Sequence, residues 1–366
     1  MANINDYLFW RGDLKFGIGC EFNELDALVL ARFSYLPFHK ISFTPNSSIG
    51  KICQNLQNLS DSEFLWDGDK DLAINLAKSE RFGDLIVSDF QRNNDKEAIS
   101  QFGAVCIHTD IDEVFISYLG TDNSILGWQE DFNMAFMRDL PCQILGAQYL
   151  EKIASKYPQK RLKIAGHSKG GNVAIYASLL APKNIQERIC KVYNYDGPGF
   201  WDKFYEQNSN AEILGKIQTY IPQKSIIGNL FSHKESVKIV QSRARGLLQH
   251  DIFTWEVGKN DFIYVPNLTR TSEIIDETLS QFLRTTSPFS RKIAIEAVFE
   301  MLNSTNAQTF VEIPQNLSAN LTQILKKYGE IPKEDKKMIA KMLGKILRSY
   351  IKVSRQNLKT KIKNLK

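Results

Sequence analysis

The chain has 366 residues, 43% of them hydrophobic and 24% charged, which excludes a disordered tract and suits one large domain with an appended piece. No apolar run reaches the ~18 residues that a membrane span requires, and the opening MANINDYLFWRGDLKFG has no basic segment ahead of an apolar core, so a cytoplasmic protein is expected. The net charge of +5 is unevenly spread: from Lys326 to Lys366 fourteen Lys or Arg stand against three acids, leaving the rest of the chain mildly acidic.

The first hundred residues read as an extension packed on the main body. Asn23 or Asp26 is placed to cap a helix running through Ala27, Leu28, Leu30 and Ala31. Residues 42–61 are polar, and an acidic, helix-like run follows to about Phe82. Surface elements without chemistry are expected there, since the scattered Asp residues lack calcium-loop spacing. Residues 103–108 and 113–118 read as two strands joined by Asp110-Ile111-Asp112, a hairpin at a sheet edge. The second strand runs into Leu119-Gly120-Thr121-Asp122, then Trp128, Asp131 and a helix containing Gln148, Tyr149 and Leu150.

Residues 162–180, LKIAGHSKGGNVAIYASLL, are the most informative stretch. Leu162, Ile164 and Ala165 suit a strand buried on both faces, and Val173, Ala174, Ala177, Leu179 and Leu180 recur at helical spacing. Between them Gly166-His167-Ser168-Lys169-Gly170 is a G-x-S-x-G that would raise the Ser168 hydroxyl on a strained turn. A plain glycine-rich connection is the alternative. A phosphate loop fits less well, because it needs Gly-Lys followed by Ser or Thr and Lys169 is followed by Gly170 and Gly171. The backbone N–H of Lys169, with that of Thr121 in the earlier loop, occupies the positions that can hold a tetrahedral oxyanion. A tight turn with a helix cap is the other reading of Gly120-Thr121-Asp122.

Downstream, a strand over residues 191–195 ends at Asp196-Gly197-Pro198-Gly199-Phe200. Asp196 is the candidate acid that would orient an imidazole, its alternative being a turn-forming Asp-Gly-Pro. Further strands are expected at residues 217–221 and 237–240. His250 is the candidate base, because the order serine, acid, histidine places it after Asp196. His39 and His108 precede the serine, His167 should pack beneath the turn, and His233, in an expected cap or lid helix, is the runner-up.

Taken together, Tyr7 with Trp10-Arg11-Gly12-Asp13, Phe22-Asn23-Glu24-Leu25-Asp26, Gly120-Thr121-Asp122 with Trp128 and Asp131, the Ser168 motif with Asn172, residues 196–200 and Gln249-His250-Asp251 resemble a bacterial family of lipase-like α/β-hydrolases of unassigned function, related to the class 3 lipases. The resemblance covers roughly Asn5 to Phe262. It implies an α/β-hydrolase-like, mostly parallel sheet flanked by helices, with an N-terminal extension and a C-terminal helical tail. It also implies a serine hydrolase cleaving carboxylic esters with Ser168, His250 and Asp196. A non-catalytic relative that binds a partner is the alternative. Class 3 lipases usually carry the acid after the strand that here ends near Pro222, where this chain has Ser225 and no carboxylate, so Asp196 is one strand early, with Glu235 and Asp251 as weaker substitutes.

The implied division is 1–100 for the extension, 101–270 for the hydrolase core with a lid around 222–247, and 271–366 for a helical region. In its tail, Ile339, Met342, Leu343, Ile346, Leu347 and Tyr350 follow helical spacing among Lys336, Lys337, Lys341, Lys345, Arg348 and Lys352. Such a helix either docks on the body or lies on an anionic membrane surface, which would make the protein peripheral at the inner membrane. No metal or organic cofactor is expected, and five scattered cysteines without a Cys-x-x-Cys pair agree with that. The expected partner is a small-molecule or lipid ester, and no nucleic acid is expected.

Overall fold

The computed structural model describes residues 2–363 apart from 43, 45, 306, 310 and 311, and the side chains of these except at 315, 346 and 350–363. Ile346, Tyr350 and Lys352 of the expected amphipathic tail therefore lie outside the described side chains. Eight strands form one sheet in sequence order: β1 (Ser47–Ser48), β2 (Ile86–Asp95), β3 (Ser100–Asp110), β4 (Glu113–Tyr118), β5 (Arg161–His167), β6 (Ile189–Tyr195), β7 (Ile217–Pro222) and β8 (Ser236–Val240). β1 with β2 and β3 with β4 are antiparallel, while β4 to β8 run parallel. The β3–β4 hairpin is thus interior to the sheet and not at its edge as its sequence suggests. β2, whose second half is QRNND, lacks the apolar alternation that would have announced it.

The helices are α1 (Ile4–Arg11), α2 (Glu24–Phe33), α3 (Ile49–Leu56), α4 (Gly68–Lys78), α5 (Ile125–Asn133), α6 (Pro141–Lys156), α7 (Lys169–Leu180), α8 (Lys183–Gln186), α9 (Asp202–Asn208), α10 (Ala211–Lys216), α11 (Arg270–Thr285), α12 (Pro288–Asn303), α13 (Glu312–Gln315), α14 (Leu317–Glu330) and α15 (Lys333–Lys363). The chain divides into two compact units. Met1–Asn93, Phe102–Gly120 and Cys142–Leu268 form the first; Asn94–Gln101, Thr121–Pro141 and Thr269–Lys366 form the second.

In the first unit α2 and α7 both pack on β4, β5 and β6. Side chains alternate across a strand, so successive residues of β5 face opposite layers. Ala165 joins the core made with Leu25, Leu28, Phe33, Ile49 and Leu72, whereas a side chain at Gly166 would point at α7, its Cβ 2.1 Å from the Gly170 carbonyl carbon. The two helices therefore cover opposite faces. Asn23 is the N-cap of α2 and Asp26 returns the bond to its backbone, so both candidates share a capping box. The 42–61 stretch is not merely surface: α3 buries Ile49, Ile52, Cys53 and Leu56 at helical spacing.

Two fully buried ion pairs pin this layer. Arg32 meets Asp69 through Nε and Nη2 at 2.6 and 2.5 Å, and Arg81 meets Asp26 likewise at 2.7 and 2.6 Å. Tyr7 donates to the same Asp26 at 2.7 Å, and burial and that carboxylate push its phenol well up. Paired in this way, the charges satisfy the rule that buried ions need partners.

In the second unit α5 packs on α12, and α15 lies along α11 and α12. Ile339 and Met342 of α15 join Phe282 and Ala294 in a small core. Among the described residues no helix is long and apolar enough to cross a membrane.

Candidate active site

β5 ends at His167 and α7 begins at Lys169, so Ser168 is the whole of the turn between them. Its φ of 59° and ψ of −133° lie in a region that non-glycine residues rarely adopt. Such a conformation costs on the order of 1–3 kcal/mol and persists only where the surroundings impose it. Here Ser168 N–H donates to Tyr195 O of β6 at 2.9 Å, and its carbonyl accepts from Gly171 N–H at 2.9 Å. Close packing does the rest: Gly166 lets β5 approach α7, and Gly170 lets α7 approach the end of β4, where a Cβ on Gly170 would lie 2.3 Å from Tyr118 O.

Asp196 stands directly after β6 and is also in the left-handed region, with φ 51°. Its N–H donates to Tyr220 O of β7 at 2.8 Å. One carboxylate oxygen, Oδ2, is 2.6 Å from Nδ1 of His250. The other, Oδ1, accepts from the Ser225 hydroxyl and from Gly228 N–H. Ser225 thus occupies the segment where class 3 lipases are expected to carry an acid, and bonds to the acid that came one strand earlier. The candidate substitutes are committed elsewhere. Asp251 caps the next turn through Phe253 N–H at 2.9 Å, and Glu235 pairs with His233 at 2.6 Å.

His250 closes a 3-10 turn, Gly246–His250, whose neighbours hold it in place. Gln249 is fully buried, accepts from Lys224 N–H and donates to Ala244 O, and its own carbonyl accepts from Trp255 Nε1. The His250 carbonyl lies 2.9 Å from Nε2 of His167, and the two rings are 4.6 Å apart. A carbonyl can only accept, so His167 carries its proton on Nε2, and its Nδ1 faces the Tyr35 hydroxyl, which lies 3.1 Å away and also donates to His167 O at 3.0 Å. Burial holds the His167 imidazole well below its ordinary pKa, and so neutral. As expected from its position inside the motif, it is a support beneath the turn.

With Nδ1–H given to the Asp196 carboxylate, a neutral His250 keeps its lone pair on Nε2. Nothing comparable holds for His233. Both its ring nitrogens face acceptors, Glu235 Oε1 at 2.6 Å and Gly228 O at 2.7 Å, so neither is free to take a proton. The span 223–235 around it contains no helix; its backbone bonds go across to the Asp196 loop instead, Gly199 N–H to Leu230 O and Phe200 with Ser232 in both directions.

Asn172 was visible in sequence only as part of a motif. In the structure it accepts from Gln143 of α6 at 2.7 Å and donates to Pro198 O at 2.9 Å, tying α6, α7 and the Asp196 loop together. Lys169 starts α7, its side chain buried. Thr121 belongs to the second unit, where its hydroxyl donates to Asp131 at 2.5 Å. Among the described residues no cluster of His, Cys, Asp and Glu could hold a metal ion.

A mostly parallel sheet flanked by helices, with a serine in a left-handed crease between β5 and α7 and an aspartate after β6 bonded to a histidine after β8, makes a lipase-like α/β fold. The chain matches the Mbeg1-like family over residues 76–300, more than half its length, and belongs to that family. No curated protein matches it in sequence. Among solved structures it is similar to a mutant form of MDLA from Penicillium cyclopium, at 12% identity over 65% of this chain and 84% of that one, with a TM-score of 0.39. Another is a lipase from Rhizopus microsporus var. chinensis, at 10% identity over 62% and 81%, TM-score 0.39. The Lip2 lipase from Yarrowia lipolytica follows at 9% identity over 64% and 84%, TM-score 0.35.

Proposed function

We propose that the protein is a serine hydrolase that cleaves carboxylic esters through an acyl-enzyme on Ser168. The observation that carries this reading is the 2.6 Å bond from His250 Nδ1 to Asp196 Oδ2, made by a histidine packed against the residue preceding a serine at φ 59°. In this mechanism His250 Nε2 takes the proton from Ser168 Oγ as that oxygen bonds to the ester carbonyl carbon. The tetrahedral oxyanion is held by the N–H of Lys169, a donor worth about 3 kcal/mol in comparable sites. Collapse breaks the bond to the alcohol, which leaves with the proton from His250. Water then attacks the acyl-enzyme by the same route, releasing the acid and restoring Ser168. Substitution of Ser168 by Ala should abolish hydrolysis of p-nitrophenyl butyrate by a folded protein; turnover by that variant at the wild-type rate would refute the assignment.

The substrate class we propose is a lipid or small-molecule ester, and the tail supports the lipid side of it. On α15, Leu343 and Leu347 are exposed, at 63% and 59%, on the helix that also carries Lys336, Lys337, Lys341, Lys345 and Arg348. On α14, Leu317, Leu321, Leu325 and Tyr328 are exposed at helical spacing. Aliphatic side chains set among lysines suit a peripheral contact with an anionic leaflet from the cytoplasmic side.

A further inference from the structure

We infer that His233 is a positioning residue for the triad acid: it clamps the Gly228 carbonyl, so that the N–H of the same residue stays on Asp196 Oδ1. The inference rests on the Ser168–His250–Asp196 reading. It is needed because an aspartate orients an imidazole only if its own carboxylate plane is fixed, and one oxygen shared with a histidine leaves that plane free to turn.

The clamp is built from acceptors that face one ring. His233 Nδ1 is 2.6 Å from Glu235 Oε1 and Nε2 is 2.7 Å from Gly228 O. A carboxylate and a carbonyl both accept only, so both ring nitrogens carry protons and His233 is an imidazolium. Its counter-charge is anchored in turn: Glu235 accepts from the Thr219 hydroxyl at 2.6 Å, the Tyr205 hydroxyl at 2.9 Å and Lys234 N–H at 3.0 Å. Burial alone would lower the His233 pKa, but the bond and charge of Glu235, the Gly228 carbonyl and the nearby Asp196 raise it. Burial would likewise raise Glu235, yet His233 and Thr219 hold it at about 2.

From this pair the order passes to the acid through one residue. Gly228 N–H lies 3.2 Å from Asp196 Oδ1 and 2.9 Å from Ser225 Oγ, and the Ser225 hydroxyl donates to the same Oδ1. The approach is between backbone and carboxylate: a Cβ on Gly228 would sit 2.3 Å from Asp196 Oδ1 and 2.5 Å from Ile221. With Oδ1 held by two donors, Oδ2 is aimed at His250.

The test compares two double variants. His233→Gln with Glu235→Gln removes both charges and keeps an amide donor near the position of Nε2; His233→Leu with Glu235→Gln removes that donor. The proton on His250 Nδ1 is read by its far-downfield ¹H NMR resonance, assigned by its loss in Asp196→Asn, and kcat and KM are read on p-nitrophenyl butyrate. The Gln pair should keep both the resonance and kcat. The Leu variant should shift or lose the resonance and lower kcat about ten-fold with KM unchanged, a fraction of what acid–base catalysis contributes. Should the Leu variant not fold, His233→Asn with Glu235→Gln replaces it, since the shorter amide falls short of Gly228 O. A folded donor-less variant with an unchanged resonance and kcat overturns the inference. Wild-type protein that hydrolyses no ester and reacts with no fluorophosphonate refutes the hydrolase reading instead, and the resonance still reports whether His233 orders Asp196.

Discussion

Asp196 and Asp251 lie on either side of the same imidazole in sequence logic, yet the bonds they make divide them. The first gives Oδ2 to His250 and fills Oδ1 with Ser225 and Gly228; the second spends its carboxylate on Phe253 N–H. An amide at the first position would present its N–H or a neutral oxygen to the ring and favour the wrong tautomer. Asp196→Asn should therefore lower kcat by about 10³–10⁴ in a folded protein, while Asp251→Asn should stay within a few-fold of wild type in the same assay. The reverse ranking would move the acid to Asp251. At this scale the serine was legible, because glycine at Gly166 and Gly170 is demanded by a backbone crease and glycine is readable. The supports were not. Ser225, Gln249 and Asn172 act through bonds to residues 25 or more positions away or through loop carbonyls, and a polar residue in a loop carries no mark of which distant acceptor it will meet.

Elements show the same division between local and distant signals. α2 announced itself by its cap and periodicity, and β4 to β7 by short β-branched and aromatic runs. β2 did not, since its outer half is polar and its pairing partners lie elsewhere in the chain. The segment between β7 and β8, expected from its place around His233 to be a cap or lid helix, bonds its backbone to the Asp196 loop instead. Two stability effects belong here. Arg81 is fully buried and is the only cation paired with Asp26 among the described residues, the carboxylate's other donors being the neutral Tyr7 hydroxyl and Asn23 N–H. Arg81→Met leaves that carboxylate uncompensated and should cost about 3–5 kcal/mol in urea unfolding; a loss below about 1 kcal/mol would show that the pair does not lock the N-terminal layer. The His233–Glu235 pair sets a pH window. His233 is raised above its ordinary 6.5, so its contribution is complete below that value and is lost as pH rises through the higher folded one. Glu235 is lowered from 4.5 to about 2, so its contribution is complete above 4.5 and is lost as pH falls through about 2. The stability difference between wild type and the His233→Gln, Glu235→Gln variant should thus be largest between about pH 4.5 and 6.5 and shrink on both sides. Asp196 and the Tyr205 hydroxyl also face this pair, and a difference that is flat with pH would show that the pair does not carry the charge balance.

Across the whole molecule, charge and chemistry are segregated. The first unit holds Ser168, Asp196 and His250, and the second ends in α15, where eleven Lys or Arg stand against two acids. Part of that helix is docked, through Ile339 and Met342, and part presents Leu343 and Leu347 to solvent. Replacing the exposed Leu343 and Leu347 by Glu should weaken sedimentation with phosphatidylglycerol-containing liposomes while leaving turnover of a soluble ester intact; equal sedimentation of both proteins would remove α15 from the membrane proposal. The activity proposed for the first unit depends on the reactivity of one hydroxyl, that of Ser168. Incubation with a fluorophosphonate, followed by intact mass and peptide mapping, tests it without any knowledge of the substrate. A single adduct on the peptide containing Ser168 is predicted, absent from Ser168→Ala and formed far more slowly by His250→Ala. An adduct that persists in folded Ser168→Ala, or folded wild-type protein that takes up no label, would contradict it.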